Sequence, residues 1–293
     1  MPLFKIEDKK AAQIKPTEFK SEKELQTFIE NNLGEIFDIR FIETEFSTGE
    51  KHGGRIDTLG LDDANNPVII EYKWGEEKNI INQGLFYLDW LVDHKGDFSV
   101  LAENKLGKKT KIEWGNPRLI LLARSFNKFD KHAINTMADN IELWSYTLYT
   151  NNLFEVKSED TSKQAAKNEI KRKSTKIAYD KFDLKYHLNK TTKEIQTKFN
   201  ALREMVLQLP NVTEQAEQKS GITYRTTKSV MRFEFRKKCI DVLVRQAKYI
   251  DPGKIVEDIT SFDWGYKGRI RLSATSNIRN VFEIVRQSYE ETL

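Results

Sequence analysis

The segment GRIDTLGLDDANNPVIIEYKWG, residues 54–75, limits most strongly what this chain can fold into. Two runs rich in aliphatic residues, 54–61 and 68–74, flank DDANNP (62–67), a segment dense in turn-forming residues. This arrangement predicts two strands joined as a β-hairpin. With the hairpin centred on Ala64, residues that face each other have numbers that sum to about 128.

That pairing places Asp57 directly opposite Glu71, with Cβ atoms about 5 Å apart. Lys73 shares a face with Glu71 because side chains alternate along a strand. Two carboxylates at this distance repel each other unless a cation lies between them, and burial adds to the cost of their charge. Mg²⁺ takes one or two carboxylates together with waters and phosphate oxygens. The hairpin therefore contains a candidate metal site.

Lys73 beside such a site would orient or deprotonate the attacking water, or stabilise charge on phosphorus in the transition state. The alternative is a surface strand with an ordinary Glu–Lys alternation. The aliphatic run at 68–70 favours a buried strand over that alternative.

The rest of the first half alternates between predicted strands and helices. Ser21 and Glu24 form a capping-box pattern at the start of an amphipathic helix. The other predicted elements are strands at 40–46, 118–123 and 141–149 and helices at 77–92 and 130–138. Strands separated by helices indicate an α/β domain that ends near residue 155.

The second half predicts a smaller domain after a linker. Residues 157–179 are rich in Lys, Ser, Gln and Ala, which is typical of a linker. Beyond it, the predicted elements are helices at 191–209 and 276–291 and strands at 223–227, 230–236, 239–246 and 268–274. This order indicates an α+β domain with a mostly antiparallel sheet. The predicted division is therefore 1–156, 157–179 and 180–293.

Composition limits the class of protein. Of the 293 residues, 39% are hydrophobic, which is enough for one large or two ordinary cores. The single cysteine, Cys239, rules out an intrachain disulfide framework and cysteine-rich zinc ribbons. MPLFKIEDKK at the start has no apolar h-region, and no run approaches 18 apolar residues. We therefore expect a cytoplasmic protein with no membrane partner.

Charge is divided unevenly along the chain. Residues 1–157 hold 21 Lys and Arg against 26 Asp and Glu, a net charge of −5. Residues 158–293 hold 27 against 18, a net charge of +9. The simplest explanation is solubility. The alternative is a polyanionic partner that is bound mainly by the second part.

The order of the polar residues resembles a nuclease motif. Asp57, then Glu71-Tyr72-Lys73, then Gln83-Gly84-Leu85-Phe86-Tyr87 resemble the D…(D/E)-X-K…Q-x-x-x-Y series of RecB-like nucleases in the PD-(D/E)XK superfamily. GRID and EYKWG are especially similar to the NucS-type and Mrr-type branches. The resemblance covers about residues 20–150, and the chain has Ile56 where the motif has proline.

This resemblance implies a restriction-endonuclease-like domain, with a mixed sheet flanked by helices, and an Mg²⁺- or Mn²⁺-dependent phosphodiesterase. Asp57 and Glu71 would be the metal ligands, and Lys73 the catalytic lysine. The superfamily adds a glutamate from the first helix. On a helical wheel Glu22 lies within the apolar arc and Glu30 at its margin, so Glu22 is the first choice and Glu30 the second. Glu22 is also explained by complementing the helix N-terminus.

Three more residues are candidates near the phosphate. Gln83 and Tyr87 are one helical turn apart and face the same way, so Gln83 would reach the scissile phosphate or Lys73. Tyr87 would contact nucleic acid, unless both residues form only a polar helix flank. Arg55 lies across from Lys73 in the predicted register and would contact a phosphate, or else simply face solvent.

The second domain resembles an uncharacterised C-terminal domain appended to nuclease-like modules, through FDWGYKGRIRLS (262–273) and the closing IVRQSYEE. Aromatic and basic residues are interleaved here, which suits base stacking together with phosphate contact. An ordinary sheet with a basic outer face would explain them equally well. The nucleic-acid-binding candidates are Arg236, Lys237, Trp264, Lys267 and Arg269.

The sequence therefore predicts a magnesium-dependent deoxyribonuclease in restriction, repair or defence. DNA is the expected partner, and a homodimer is left open. Two other classes compete with it: a non-catalytic nucleic-acid-binding module that retains the fold, and a protein-interaction or transport-associated factor.

Overall fold

A computed structural model of the chain describes most of its 293 residues. The described ranges are 2–49, 53–74, 80–107, 110–136, 140–159, 182–216, 219–261 and 265–293. Two sequence predictions fall outside them. These are Trp264 and all but the first few residues of the predicted linker at 157–179.

The first part of the chain contains one large sheet, a separate hairpin and five helices among its described residues. The strands are β1 (Leu3–Glu7), β2 (Lys10–Ile14), β3 (Pro16–Thr17), β4 (Ile39–Ser47), β5 (Arg55–Asp62), β6 (Pro67–Lys73), β7 (Arg118–Ala123), β8 (Ile141–Tyr149) and β9 (Leu153–Ser158). The helices are α1 (Glu22–Asn31), α2 (Leu33–Phe37), α3 (Ile80–Asp93), α4 (Lys95–Leu106) and α5 (Lys128–Thr136).

The large sheet is mixed. Its strand order is β3-β8-β7-β6-β5-β4, and β9 also pairs with β8. Strands β4, β5 and β6 are antiparallel neighbours, whereas β6, β7 and β8 run parallel. The parallel connection from β6 to β7 passes through α3 and α4, as a crossover requires.

The central hairpin has the register that the sequence predicts. Thr58 pairs with Ile70 and Leu61 with Pro67, so facing residue numbers sum to 128. The turn is closed by the Asp62 carboxylate, whose Oδ1 accepts hydrogen bonds from the backbone N–H groups of Ala64 and Asn66, at 2.9 and 2.8 Å. A local Asx turn thus sets the pairing.

Helices cover both faces of the mixed sheet. Helix α1 begins at the Ser21 cap, whose hydroxyl accepts from the Glu24 N–H at 3.1 Å. Its buried face packs with α2 against one side of β6, β7 and β8, whereas α3 and α4 pack against the other side. Gly84 allows the close approach of α3, because a Cβ at this position would lie 2.8 Å from the Leu119 side chain and 2.9 Å from that of Leu121.

Some elements differ from the sequence predictions. Helix α4 follows α3 after a single residue and was not predicted, and strand β9 extends through residues 157–158, which the sequence assigned to the linker. Pairing with β8 gives β9 its strand conformation, and no local pattern announces that pairing.

The second part forms its own sheet and core. Its elements are α6 (Leu184–Leu188), α7 (Lys193–Leu207), β10 (Thr213–Gln215), β11 (Ile222–Arg225), β12 (Ser229–Phe235), β13 (Ile240–Val244), β14 (Glu257–Asp258), β15 (Gly268–Leu272) and α8 (Ile278–Glu290). The strand order is β10-β11-β12-β13-β15-β14, and every pairing is antiparallel. Helices α7 and α8 cover one face of this sheet. The described chain is therefore a mixed α/β protein with two large sheets, the separate two-stranded β1–β2 hairpin and two main bodies.

The two bodies meet through charged groups that are mostly buried. Arg245 donates to both oxygens of the Asp38 carboxylate, at 2.5 and 3.1 Å. Arg225 lies 3.6 Å from oxygens of both Asp62 and Asp63, at the turn of the β5–β6 hairpin. Burial alone would raise the pKa of Asp63, but the positive charge of Arg225 holds it below its ordinary value. The second body therefore contacts the hairpin at its turn, which is the end away from Asp57.

Candidate active site

The two carboxylates that the sequence singled out are bonded to each other's strands. Glu71 Oε1 accepts from the backbone N–H of Asp57 at 3.2 Å. Asp57 Oδ2 accepts in return from the backbone N–H of Tyr72 at 3.1 Å. Each carboxylate is thus fixed by the strand that carries the other, and the pair lies one residue beyond the Thr58–Ile70 pairing of β5 and β6.

Burial makes this pair costly when both groups are ionised. Glu71 is fully buried, and its Oε2 has no hydrogen-bond partner among the described residues. Burial, together with the charge of Glu22, raises the pKa of Asp57 to about 6 against an ordinary 3.8, although the Tyr72 N–H opposes this shift. Burial and then the charge of Asp57 raise the pKa of Glu71 well above its ordinary value. A cation between them would remove this repulsion.

Lys73 ends β6 on the same face as Glu71 and is half-buried. Its positive charge lowers the pKa of both carboxyl groups, although burial outweighs it at each. An ammonium group within electrostatic reach of both carboxylates is therefore part of the site.

The structure distinguishes the two candidate glutamates of α1. Glu22 Oε2 accepts from the backbone N–H of Trp74 at 3.1 Å, and its charge raises the pKa of both Asp57 and Glu71. Glu30 instead accepts from the Thr58 hydroxyl at 2.6 Å. Glu22 is therefore the glutamate that acts on the carboxylate pair.

The α3 residues connect to the start of β5. Gln83 Nε2 donates to the Tyr87 hydroxyl at 3.3 Å, and this hydroxyl also accepts from the Arg55 N–H at 3.1 Å. Tyr87 is buried, and its ring packs in the core. Its hydroxyl is hydrogen-bonded to the backbone of Arg55, where β5 begins. The exposed Arg55 side chain forms an ion pair with Glu45 at 2.5 Å.

Sequence reasoning missed Gln26, which is buried beneath the hairpin. Its amide donates to the Asp57 carbonyl oxygen at 2.8 Å. The available signal was its spacing, because Glu22, Gln26 and Glu30 recur every four residues and so form one stripe of α1.

Within the described ranges, Asp57 and Glu71 are the two carboxylates that are bonded to each other's strands. Among the described residues, no group of three or more His, Cys, Asp or Glu side chains is placed to hold a metal ion. Any cation here would complete its coordination with waters or phosphate oxygens, as Mg²⁺ commonly does.

The basic candidates of the second body fall into two sets. Arg236 is paired with Asp241 at 2.6 Å, and Arg269 is paired with Glu257 at 2.6 Å. Lys237 and Lys267 are exposed. The neighbouring Tyr266, which belongs to the same aromatic and basic segment, is buried in a small cluster with Leu243 and Ile259, and so lies in the core.

Comparison with known proteins adds information mainly on the second body. Residues 185–292 match a family described as a domain of unknown function, DUF5655. This match agrees with the resemblance of this part to an uncharacterised C-terminal domain, and it does not extend to Asp57 and Glu71. An uncharacterized protein of Haemophilus influenzae is 25% identical over 308 aligned positions, which cover 99% of this chain and all of that protein. No solved structure matches the chain at a significant level.

None of the described helices is both long and apolar enough to cross a membrane.

Proposed function

We propose that this protein is a divalent-metal-dependent nuclease that hydrolyses DNA phosphodiester bonds. One observation carries the proposal. Asp57 and Glu71 face each other at a half-buried site, both with raised pKa values, and one Glu71 oxygen has no partner among the described residues. A carboxylate pair that is unfavourable without a cation, next to a lysine, suits metal-assisted phosphoryl chemistry.

The residues present fit Mg²⁺ or Mn²⁺. Asp57 and Glu71 would hold the ion through oxygen atoms, which is the ligand type that these cations prefer. The buried Glu71 Oε2 has no hydrogen-bond donor among the described residues, so it is free to act as a ligand. When bound, the ion would neutralise the pair and act as a Lewis acid toward the phosphate.

The remaining side chains have distinct roles in this proposal. As an ammonium group, Lys73 would orient the attacking water or stabilise negative charge on the phosphorus. Deprotonating that water would require the neutral amine form of Lys73. Glu22 would add negative potential that strengthens cation binding at Asp57 and Glu71. Gln83 would reach the scissile phosphate or Lys73. Its amide donates to the Tyr87 hydroxyl, which also accepts from the backbone N–H of Arg55.

The fold supports placing residues 1–156 in the PD-(D/E)XK superfamily with a restriction-endonuclease-like core. The antiparallel β4–β5–β6 unit is followed by a helical crossover into the parallel β7 and β8, with helices on both faces. Asp57 lies on the middle strand of that unit, and Glu71 and Lys73 lie at the end of β6.

DNA is the proposed substrate, and residues 180–293 are proposed to help bind it. The net charge of +9 beyond residue 157 favours a polyanion. Exposed Lys237 and Lys267 are the best candidates for phosphate contact, because Arg236 and Arg269 are already paired with carboxylates.

The test is cleavage of single-stranded, duplex, branched and mismatched DNA by the full chain, with Mn²⁺, with Mg²⁺ and with EDTA. Wild type should cleave at least one of these substrates with Mn²⁺ or Mg²⁺ and none of them in EDTA. Asp57→Asn and Glu71→Gln should abolish cleavage while retaining the far-UV circular dichroism of wild type. Asp89→Asn, an exposed carboxylate on α3, is the matched control and should leave the rate unchanged.

A calorimetric Mn²⁺ titration, taken together with a measurement of DNA binding, separates the competing classes. A nuclease binds Mn²⁺ through Asp57 and Glu71, and both variants lose that binding. DNA binding without metal binding would indicate a non-catalytic nucleic-acid-binding module. Neither kind of binding would indicate a protein-interaction factor, and the proposal would be abandoned.

A further inference from the structure

Three polar side chains on one stripe of α1 contact the hairpin that carries the proposed site. Glu22 accepts from the Trp74 N–H at 3.1 Å, immediately after β6 ends. Gln26 donates to the Asp57 carbonyl at 2.8 Å, and Glu30 accepts from the Thr58 hydroxyl at 2.6 Å. Residues four apart lie on one face of a helix, so a single helix holds both strands of the hairpin.

Gln26 is the member of this stripe that touches the backbone of a proposed metal ligand. Its side chain is 3% exposed, although glutamine is usually a surface residue. Besides the Asp57 carbonyl, its amide contacts the Thr44 hydroxyl at 3.1 Å and Glu30 Oε1 at 3.0 Å. A buried amide with this many partners is held in one orientation.

The β4–β5 ladder is irregular beside Asp57. The register pairs Thr44 with Thr58 and Phe46 with Ile56, and it passes over Glu45. Glu45 has φ of 52°, a left-handed conformation that is uncommon for residues with a side chain and that interrupts a regular strand. Gln26 supplies a donor to the Asp57 carbonyl at this interruption.

We propose that Gln26 is a positioning residue that fixes the Asp57 backbone, and thereby the Asp57–Glu71 pair. The inference rests on the proposed function only for its catalytic consequence. If the Gln26 donor is removed, the Asp57 carbonyl loses this hydrogen bond and the β5 backbone is free to shift. That movement weakens the two bonds that define the pair, from the Asp57 N–H to Glu71 and from the Tyr72 N–H to Asp57.

The decisive variants are Gln26→Met and Gln26→Asn. Methionine keeps the length of the side chain without its donors. Asparagine keeps the amide but withdraws it by about 1.5 Å, the length of one carbon–carbon bond. The matched control is Thr27→Val, which removes the hydrogen bond that an exposed hydroxyl of α1 donates to the Lys23 carbonyl.

The first measurement is backbone amide hydrogen exchange in the metal-free full chain. We expect the Asp57 and Tyr72 amides to exchange about tenfold faster in both Gln26 variants, since one net hydrogen bond is lost. The Leu121 amide, in the central strand β7, should be unchanged. Thr27→Val should leave all three at the wild-type rate.

The second measurement is DNA cleavage with Mn²⁺, together with the Mn²⁺ affinity. Partners that orient metal ligands typically contribute 10–100-fold, so kcat or Mn²⁺ affinity should fall by about that factor while the KM for DNA stays within about threefold. A residue needed only for helix packing would lower the melting temperature and leave both quantities unchanged.

The outcomes are separable. Unchanged exchange at Asp57 and Tyr72 in whichever Gln26 variant folds overturns the positioning role. Faster exchange with wild-type cleavage and metal affinity overturns its catalytic relevance. Faster exchange in a protein whose wild type neither binds Mn²⁺ nor cleaves DNA supports the positioning of Asp57 and rejects the proposed nuclease.

Discussion

Replacing Asp57 with asparagine should stabilise the metal-free protein at neutral and alkaline pH. The pKa of Asp57 is raised to about 6, chiefly by burial, so its ionised form is unfavourable in the folded chain. Asparagine resembles the neutral carboxyl in size and keeps an oxygen that accepts from the Tyr72 N–H. The substitution therefore removes the charge and retains the bond.

The magnitude follows from the two pKa values. A pKa raised from 3.8 means that the neutral carboxyl favours folding, an effect complete below pH 3.8 and lost as pH rises through about 6. The difference corresponds to about 3 kcal/mol at pH 8, about half of that at pH 5, and under about 1 kcal/mol at pH 4. Because Asp57 is only half-buried, solvent screening should bring the gain at pH 8 to about 1.5–3 kcal/mol.

The assay is urea unfolding in EDTA at pH 4, 5 and 8, with the free energy of unfolding extrapolated to water. Asp57→Asn should exceed wild type at pH 8, and the difference should shrink toward pH 4. Asp89→Asn, at an exposed carboxylate, should show no such dependence. Added Mn²⁺ should stabilise wild type and leave Asp57→Asn unchanged.

The opposite sign would refute this electrostatic account. If Asp57→Asn is less stable than wild type at pH 8 in EDTA, then the Asp57 charge is stabilising, through Lys73, without any metal. Asp57 would then be one half of a structural ion pair, and the argument for a cation between Asp57 and Glu71 would lose its physical basis.

Three further outcomes are expected. Lys73→Ala should reduce the rate of metal-dependent cleavage at least about 100-fold while calorimetric Mn²⁺ affinity changes less than about threefold, because the ammonium acts on water or phosphate. Arg245→Met should lower the free energy of unfolding by about 3 kcal/mol by removing the cation that pairs with Asp38, and adding Asp38→Asn should recover part of that loss in a double-mutant cycle. Lys237→Glu with Lys267→Glu should flatten the log–log salt dependence of DNA affinity by about 2, measured by fluorescence anisotropy, and an unchanged slope would exclude both from phosphate contact.

The interface between the two bodies limits how the chain can be divided in experiments. Asp38 and Asp63 are buried and face Arg245 and Arg225 of the other body. Separating the bodies at the linker would expose these groups or leave them unpaired. Leaving a buried charge without its partner strongly destabilises the fold. Binding and cleavage are therefore best measured with point variants of the full chain.

The amino-acid sequence by itself determined the parts of this protein that depend on neighbouring residues. Asp62 closes the hairpin turn through residues two and four positions away, so the register that brings Asp57 opposite Glu71 was predictable. The Ser21 cap is equally local, and the start of α1 was predicted correctly.

Tertiary structure alone decided the rest of the site. The helical wheel ranked Glu22 before Glu30, but only the placement of α1 over the hairpin puts Glu22 beside Trp74 and Glu30 beside Thr58. The donor role of Gln26 depends on an interrupted ladder 31 residues away in the chain. The bond from Arg245 to Asp38 spans 207 residues. Local periodicity carries no information on such contacts, because they arise when separate elements pack together, and only the folded chain specifies which elements meet.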